Sequence, residues 1–440
     1  MRRGEAPRRD RSGEAVTVAH GNGGSGNGDA RLMERIVERD NVVKALKRVE
    51  QNKGSPGIDG MTVEDLRPYL RVNWTQLREQ LLAGSYQPQP VRKHDIPKSD
   101  GGVRTLGIPT VLDRFIQQAI LQVLQPMFDP TFSNGSFGFR PGRSAHQAVT
   151  TAQHYIQAGK TWVVDVDLEK FFDRVNHDVL MSRLARRISD KRLLRLVRAY
   201  LNAGIMVNGV VMPREEGTPQ GGPLSPLLAN VLLDEVDKEL EKRGLAFVRY
   251  ADDCNVYVSS ERAANDAMET LKRLFAKLRL RINESKSAVD RPWNRRFLGY
   301  GFFLYRGEVR LAVSDKALTK MMDRTREMTG RSRGRSLAFV ATELRSYLVG
   351  WKNYFRLAQT PSIFKDLDRW IRRRLRMLML KQWKRGVVAY RELRRLGVSD
   401  DKARLAARDV RRLWRKSQAY IHIGLTNAYF DGQGVPRLAS

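Results

Sequence analysis

Residues 247–260 read FVRYADDCNVYVSS. Two β-rich runs flank Ala251-Asp252-Asp253, which predicts strand, tight turn, strand over Phe247 to Ser259. Hairpin tips favour Asp, so a solvated turn would explain both acids. The competing reading starts from repulsion: two adjacent carboxylates carry like charge at one point, and divalent cations there would relieve it. Magnesium prefers a few carboxylates completed by substrate phosphates. A second acidic stretch, WVVDVDLEKFFDRVNH (162–177), alternates as a strand from Trp162 to Leu168, so Asp165 and Asp167 share one face. Acids in a Val-rich strand are costly if buried without partners. Either this is an exposed edge strand, or a metal bridges Asp167 and Asp252. The second choice leads to two-metal chemistry, with one ion activating a hydroxyl and the other steadying a pyrophosphate leaving group.

The surrounding chain has 440 residues, with 79 Lys and Arg against 48 Asp and Glu, a net charge of +31. At 41% hydrophobic residues it is too apolar for wholesale disorder. No apolar run approaches the ~18 residues of a membrane span. The first residues carry no apolar core of a secretory signal. The single cysteine, Cys254, excludes a disulfide framework and reads as a small strand residue. The positive excess points to nucleic acid, and less readily to an anionic membrane surface.

Residues 1–30 read as a flexible tail built on GNGGSGNGD. One helical pattern runs from Arg31 to Lys53-Gly54 and meets the turn cluster SPGIDG. VRKHDIPKSDGGVRTLGIP (91–109) predicts a hairpin turning at Ser99 to Gly102, followed by a helix over Val111 to Phe128. Another helix is expected over Leu224 to Lys242, closed by Gly244. After about Ser314 the chain turns helical and strongly basic. Leu367 to Lys416 carries 18 Lys and Arg against 5 Asp and Glu. There Leu367, Trp370, Ile371, Leu375, Leu378 and Met379 form an apolar stripe, with Arg372, Arg373, Arg376 and Lys381 off it. Stripe on protein and cations on RNA phosphate is the favoured arrangement; a membrane surface is the alternative.

Seven blocks in this order carry a resemblance: IPKSDGGVRTLGIP, SFGFRPGRSAHQAV, DVDLEKFFDRVNH, GTPQGGPLSPLLANVLLDEVD, RYADD, LRLRINESKS and RFLGYGF. They resemble the reverse transcriptase/maturase encoded by bacterial group II introns, of the endonuclease-less, class C-like branch, from about Leu32 onward. No Cys pairs or His-Asn-His run for an endonuclease are seen. The resemblance implies an α+β right-hand polymerase, with fingers and an antiparallel palm sheet, then an α-helical thumb/maturase domain and a small basic helical C-terminal region. The expected boundaries are 1–30 tail, 31–160 N-terminal extension and fingers, 161–310 palm, 311–385 thumb/maturase and 386–440 a DNA-binding region.

The resemblance makes Asp167, Asp252 and Asp253 the catalytic, metal-holding acids, with two Mg²⁺ ions or Mn²⁺ in their place. Asp167 is preferred to Asp165 because the family places an aromatic five residues after the ligand, as Phe172 stands. Phe172 would exclude a ribose 2′-hydroxyl, or else be a core ring beside Phe171. Asp165 would tune the site or be salt-bridged. Arg92 and Lys98 lie six apart, on one strand face, and Arg104 follows the turn. A triphosphate needs several cations, and the resemblance gives these three that task over plain surface charge. Gln220, Gly221 and Gly222 would lie beside nucleotide and template, and Lys286 beside the nucleotide. RFLGYGF would form a primer grip. Arg140 and Arg143 read as a template-contacting turn with Ser144 capping the next helix; His146 and His177 read as structural hydrogen-bonders. The implied function is RNA-directed DNA synthesis with splicing assistance and retrohoming by target-primed reverse transcription. Partners would be intron RNA, target DNA or primer, and dNTPs, in the bacterial cytoplasm with nucleoid or ribonucleoprotein. A splicing-only maturase and a host-domesticated relative are the alternatives.

Overall fold

The computed structural model describes residues 31–97, 102–207, 210–212, 216–218, 221–330, 334–408 and 421–439, with the backbone alone for 104, 207 and 210. The tail 1–30, Lys98, Ser99 to Gly101 of the expected turn, and Gln220 lie outside the described residues.

Three helices lead the chain: α1 (Leu32–Ile36), α2 (Arg39–Asn52) and α3 (Val63–Ala83). The hairpin strands β1 (Val91–Pro97) and β2 (Val103–Ile108) precede α4 (Val111–Phe128) and α5 (Ala145–Gln157). Next come β3 (Trp162–Val166), α6 (His177–Ala185), α7 (Lys191–Asn202), β4 (Ile205–Val207) and β5 (Val210–Met212). The centre is α8 (Ser225–Lys242), β6 (Ala246–Tyr250), β7 (Asp253–Val258), α9 (Glu261–Lys277) and β8 (Ala288–Asp290). The strands β9 (Arg296–Phe297), β10 (Tyr300–Tyr305) and β11 (Glu308–Val313) form a small sheet. The rest is helical: α10 (Asp315–Met328), α11 (Leu337–Tyr354), α12 (Pro361–Trp383), α13 (Gly386–Arg395), α14 (Asp400–Ala407), α15 (Ile421–Gly424) and α16 (Asn427–Gly432). This is the mixed α+β organisation with a helical C-terminal region that the sequence implies.

The site rests on the antiparallel sheet β6-β7-β3-β8. Its strands alternate between two cores, because side-chain direction has period two. Val164, Val166, Cys254, Val256 and Val258 join a core with α1 to α4 and α6 to α9. Val163, Val248 and Tyr257 join a second core with α5, β10, β11 and the C-terminal helices. The sheet is therefore covered on both faces, which accounts for strands rich in Val on both sides.

Local expectations needed three corrections. The first helix is two helices, because Glu38 takes an extended conformation (φ −62°, ψ 141°) between them. The Asn41 amide donates to Ile36 O at 2.8 Å and closes the break. The strand at Trp162 stops at Val166, one residue before Asp167. The third correction concerns Arg372 and Arg376. Arg372 is only 1% exposed and donates to Asp368 (3.2 Å), Asp431 (2.9 Å), Val435 O (3.1 Å) and Pro436 O (3.0 Å). Arg376 is half-buried and donates to Leu425 O (2.8 Å) and Asn427 (2.9 Å). Both guanidiniums are engaged by acceptors within the protein. Both fasten the C-terminal segment onto α12, because that segment supplies carbonyls and carboxylates where the helix alone would offer solvent. Arg373 is half-buried.

Candidate active site

The β3/β7 ladder pairs Asp165 with Asn255 and Val166 with Cys254. One step further, antiparallel register sets Asp167 opposite Asp253. Asp253, Asn255 and Tyr257 share the β7 face opposite Cys254, and Asp165 and Asp167 extend the corresponding face of β3. Tyr250 pairs with Asp253, so Ala251-Asp252 is a two-residue turn with Ala251 in the left-handed region (φ 60°). Four carboxylates thus meet at one end of two strands. Burial first, then the like charges of Asp252, Asp165 and Asp167, push the Asp253 carboxyl up to about 7.

Asp167 is held by a segment remote in sequence. Its N–H donates to Ser287 Oγ (3.0 Å), its carbonyl accepts from Asn283 N (2.8 Å), and Lys286 Nζ lies 3.7 Å from its carboxylate. The block LRLRINESKS thereby enters the site, with Asn283 and Ser287 as backbone anchors the sequence reading missed. The Asn-Glu-Ser-Lys-Ser run had the composition of a turn, the one signal available. Asp165 is salt-bridged to Arg295 (2.7 Å), as one of its two expected roles required; burial nonetheless pushes its carboxyl up against the pull of that guanidinium.

Phe172 sits in a single turn, Phe171 to Asp173, and is 9% exposed, edge-on to Phe171 with centroids 5.0 Å apart. Its carbonyl accepts from Thr218 N (2.7 Å), which docks Gly217-Thr218, the start of the glycine loop, onto the Phe171–Asp173 turn. A Cβ at Gly217 would stand 2.9 Å from two backbone carbonyls, so close approach requires glycine there. Gly222 corrects its expectation. It is buried, and a Cβ would meet Gln117 Oε1 of α4 at 2.3 Å, so it faces the protein and not a template. Gly221 is exposed, beside Gly107 O of β2. Arg92 and the backbone of Arg104 lie in the β1/β2 hairpin, paired with Ile108 and Ile96.

Arg140 is a second correction. At 9% exposed, it donates to Asp129 Oδ1 (2.8 Å), Asp129 O (2.8 Å), Ser133 O (2.6 Å) and Ser136 O (2.9 Å). It closes the loop 129–136 on itself. Arg143 stays half-buried, donating to Asn134 (2.8 Å), and Ser144 caps α5 through Gln147. His177 bonds Gly217 O (2.8 Å) and His146 bonds Tyr354 O (2.7 Å), both as structural partners.

No group of three or more His, Cys, Asp or Glu stands at metal-holding geometry among the described residues, so the acids form no closed cage by themselves. Their chemistry fits a hard divalent cation whose remaining ligands are phosphate oxygens and water. The Asp253 carboxyl, raised by burial first and then by its acidic neighbours, is a charge that such an ion would stabilise. Cation binding must then displace a proton below about pH 7. Mn²⁺ affinity measured by calorimetry should weaken roughly tenfold per pH unit there; an affinity flat between pH 6 and 8 would separate Asp253 from the cation.

Residues 96–302 match the family described as Reverse transcriptase (RNA-dependent DNA polymerase), and residues 318–397 match the group II intron, maturase-specific domain. The chain is 35% identical to protein YkfC of Escherichia coli (strain K12) over 327 residues, covering 64% of this chain and 86% of that protein. It is 33% identical to the group II intron-encoded protein LtrA of Lactococcus lactis subsp. cremoris over 270 residues, 59% of this chain and 42% of LtrA. A putative COX1/OXI3 intron 1 protein of Saccharomyces cerevisiae is 29% identical over 274 residues, 62% of this chain and 31% of that protein. The chain therefore spans less than half the length of these two intron-encoded relatives. No helix among the described residues is long and apolar enough to cross a membrane.

Proposed function

Because the chain belongs to the reverse transcriptases of the group II intron type, with a maturase-specific domain behind the polymerase, we propose how its own residues carry out RNA-templated DNA synthesis. Reverse transcriptases copy RNA into DNA with divalent metal ions, and the maturase-specific domain adds assistance to intron splicing. Nucleic acid, RNA included, is the partner that the charge of +31 suits.

In this reading Asp167, Asp252 and Asp253 hold two Mg²⁺ ions, with Mn²⁺ able to replace them. When bound, the ions supply charge neutralisation at the attacking 3′-hydroxyl and the departing pyrophosphate. Lys286, 3.7 Å from Asp167, keeps positive charge next to the acids. Arg92, Lys98 and Arg104 grip the triphosphate from the β1/β2 hairpin, and Gln220 and Gly221 line the nucleotide. Arg143 and Arg373 remain for template or intron RNA. The parent intron RNA and a DNA target or primer are the proposed partners, with insertion by target-primed synthesis. The proposed units are 31–160 for N-terminal extension and fingers, 161–310 for the palm, 311–385 for thumb and maturase, and 386–440 for DNA binding.

The observation that carries this reading is the β3/β7 register, which brings Asp167 beside Asp253 and the Asp252 turn. Purified protein with an RNA template, a DNA primer, dNTPs and Mg²⁺ should yield cDNA; a wild-type protein giving no product refutes it. A splicing-only protein has no need of this acidic cluster. Phe172 supplies a second check. As a gate beside Asp167 it should select deoxyribose, so Phe172→Val should raise ribonucleotide incorporation about tenfold or more. Unchanged sugar selection would leave that ring as a core residue packed on Phe171.

A further inference from the structure

The turn that carries Asp252 has an awkward backbone. Ala251 sits at φ 60°, a region that residues with a Cβ seldom adopt, so its surroundings must impose the conformation. Those surroundings converge on one side chain. Arg249 is 1% exposed and all five of its N–H donors have acceptors. Nε and Nη2 donate to Asp237 (2.8 and 2.6 Å), and Nη2 also to Ser136 Oγ (2.8 Å). Nη1 donates to Asn230 Oδ1 (3.0 Å) and to the Ala251 carbonyl (2.8 Å). Asn230 Nδ2 in turn donates to Gly138 O (2.9 Å), and a Cβ on Gly138 would stand 2.2 Å from Ala251 N. Helix α8, the loop 133–138 and strand β6 are thereby locked together behind the turn.

We propose that Arg249 is a positioning residue for the polymerase reaction: through the Ala251 carbonyl it fixes the backbone that aims Asp252 and Asp253 at their cations. This rests on the reading of those acids as catalytic and adds a residue behind them. A buried ion pair serving stability alone would need Asp237 and nothing at the turn. The bond to Ala251 O instead spends a guanidinium donor two residues away on the peptide that precedes Asp252. Lysine cannot substitute, because its single ammonium cannot reach the Asp237 carboxylate and the turn together.

Two variants of the full chain test it. The pair Arg249→Met with Asp237→Leu replaces buried charge by apolar groups of similar volume, a change that buried ion pairs often tolerate. Arg249→Lys keeps the charge and loses the fork. Each is compared with wild type for thermal unfolding, for KM toward primer-template, and for the Mg²⁺ concentration giving half-maximal cDNA synthesis. In the folded variants that concentration should rise roughly tenfold or more while KM for primer-template stays within about twofold, since only the acids are misplaced. A folded variant with the Mg²⁺ dependence of wild type overturns the proposal. Loss of the fold in both variants overturns it too, by making Arg249 a core element only. Asp252→Ala, run alongside, separates the two ideas: if it retains synthesis, the catalytic reading of the acids fails, whatever Arg249 does.

Discussion

Asp253→Asn should abolish cDNA synthesis, by ~10³-fold or more, while leaving the protein folded and its RNA affinity within about twofold of wild type. A factor of ~10³ is about 4 kcal/mol of transition-state stabilisation, within what a metal-holding carboxylate supplies. The stability change has the opposite sign. The Asp253 carboxyl is raised to about 7 by burial and by Asp252, Asp165 and Asp167, from an ordinary value near 4. A carboxyl raised on folding favours the native state below its ordinary value and loses that contribution as pH rises through about 7. In metal-free protein at pH 8 the charged carboxyl therefore destabilises by roughly 2–4 kcal/mol, and Asn removes that buried charge together with its repulsion. The variant should melt higher than wild type without metal at pH 8, and the gap should close on adding Mg²⁺. Primer extension and paired melting curves check both halves. Activity within tenfold of wild type would remove Asp253 from the catalytic set. Because RNA affinity depends on the basic surface, the same variant tests whether splicing assistance survives without polymerisation.

Arg372→Ala should strongly destabilise the C-terminal helical region. It leaves Asp368 and Asp431 without their shared guanidinium and two carbonyls, of Val435 and Pro436, without a donor. Removing one partner of a buried ion pair typically costs about 3–5 kcal/mol. Asp368 still accepts from Leu438 N and Ala439 N, and Asp431 from Arg437. The segment 421–439 should therefore loosen from α12 while the sheet around Asp167 keeps its fold. Limited proteolysis and amide exchange should show protection lost there first. A phosphate-contacting arginine would behave differently: stability would hold, and the salt dependence of RNA binding would fall by about one charge. That pattern would reinstate the RNA-contact reading of Arg372.

The same comparison explains why some of the site was legible in the sequence and some was not. Asp165 and Asp167 were assigned to one face by the period of a strand, and Asp252-Asp253 to a hairpin tip by the runs around them; both are local properties. Helix α4 and the Ser144 cap were equally local, with Thr110 and Ser144 accepting at the first turns. The break at Glu38 was not visible, because Val37 and Glu38 interrupt no periodicity and the closing bond comes from Asn41 packed against α4 (Asn41 Nδ2 to Ala119 O, 3.1 Å).

The sequence alone determined the chemistry: four carboxylates on two strand ends and the turn beside them, a basic chain, and glycines where backbones must approach. Tertiary structure alone decided which arginines face solvent. Arg140, Arg249 and Arg372 look alike in the sequence, each a cation in a motif or a basic run. Each is buried because segments 2 to 113 residues away deliver carbonyl, carboxylate, amide or hydroxyl acceptors to its planar fork. Periodicity reports which side of an element is apolar, but a guanidinium can leave water only where acceptors from elsewhere in the chain replace the hydrogen bonds it gives up.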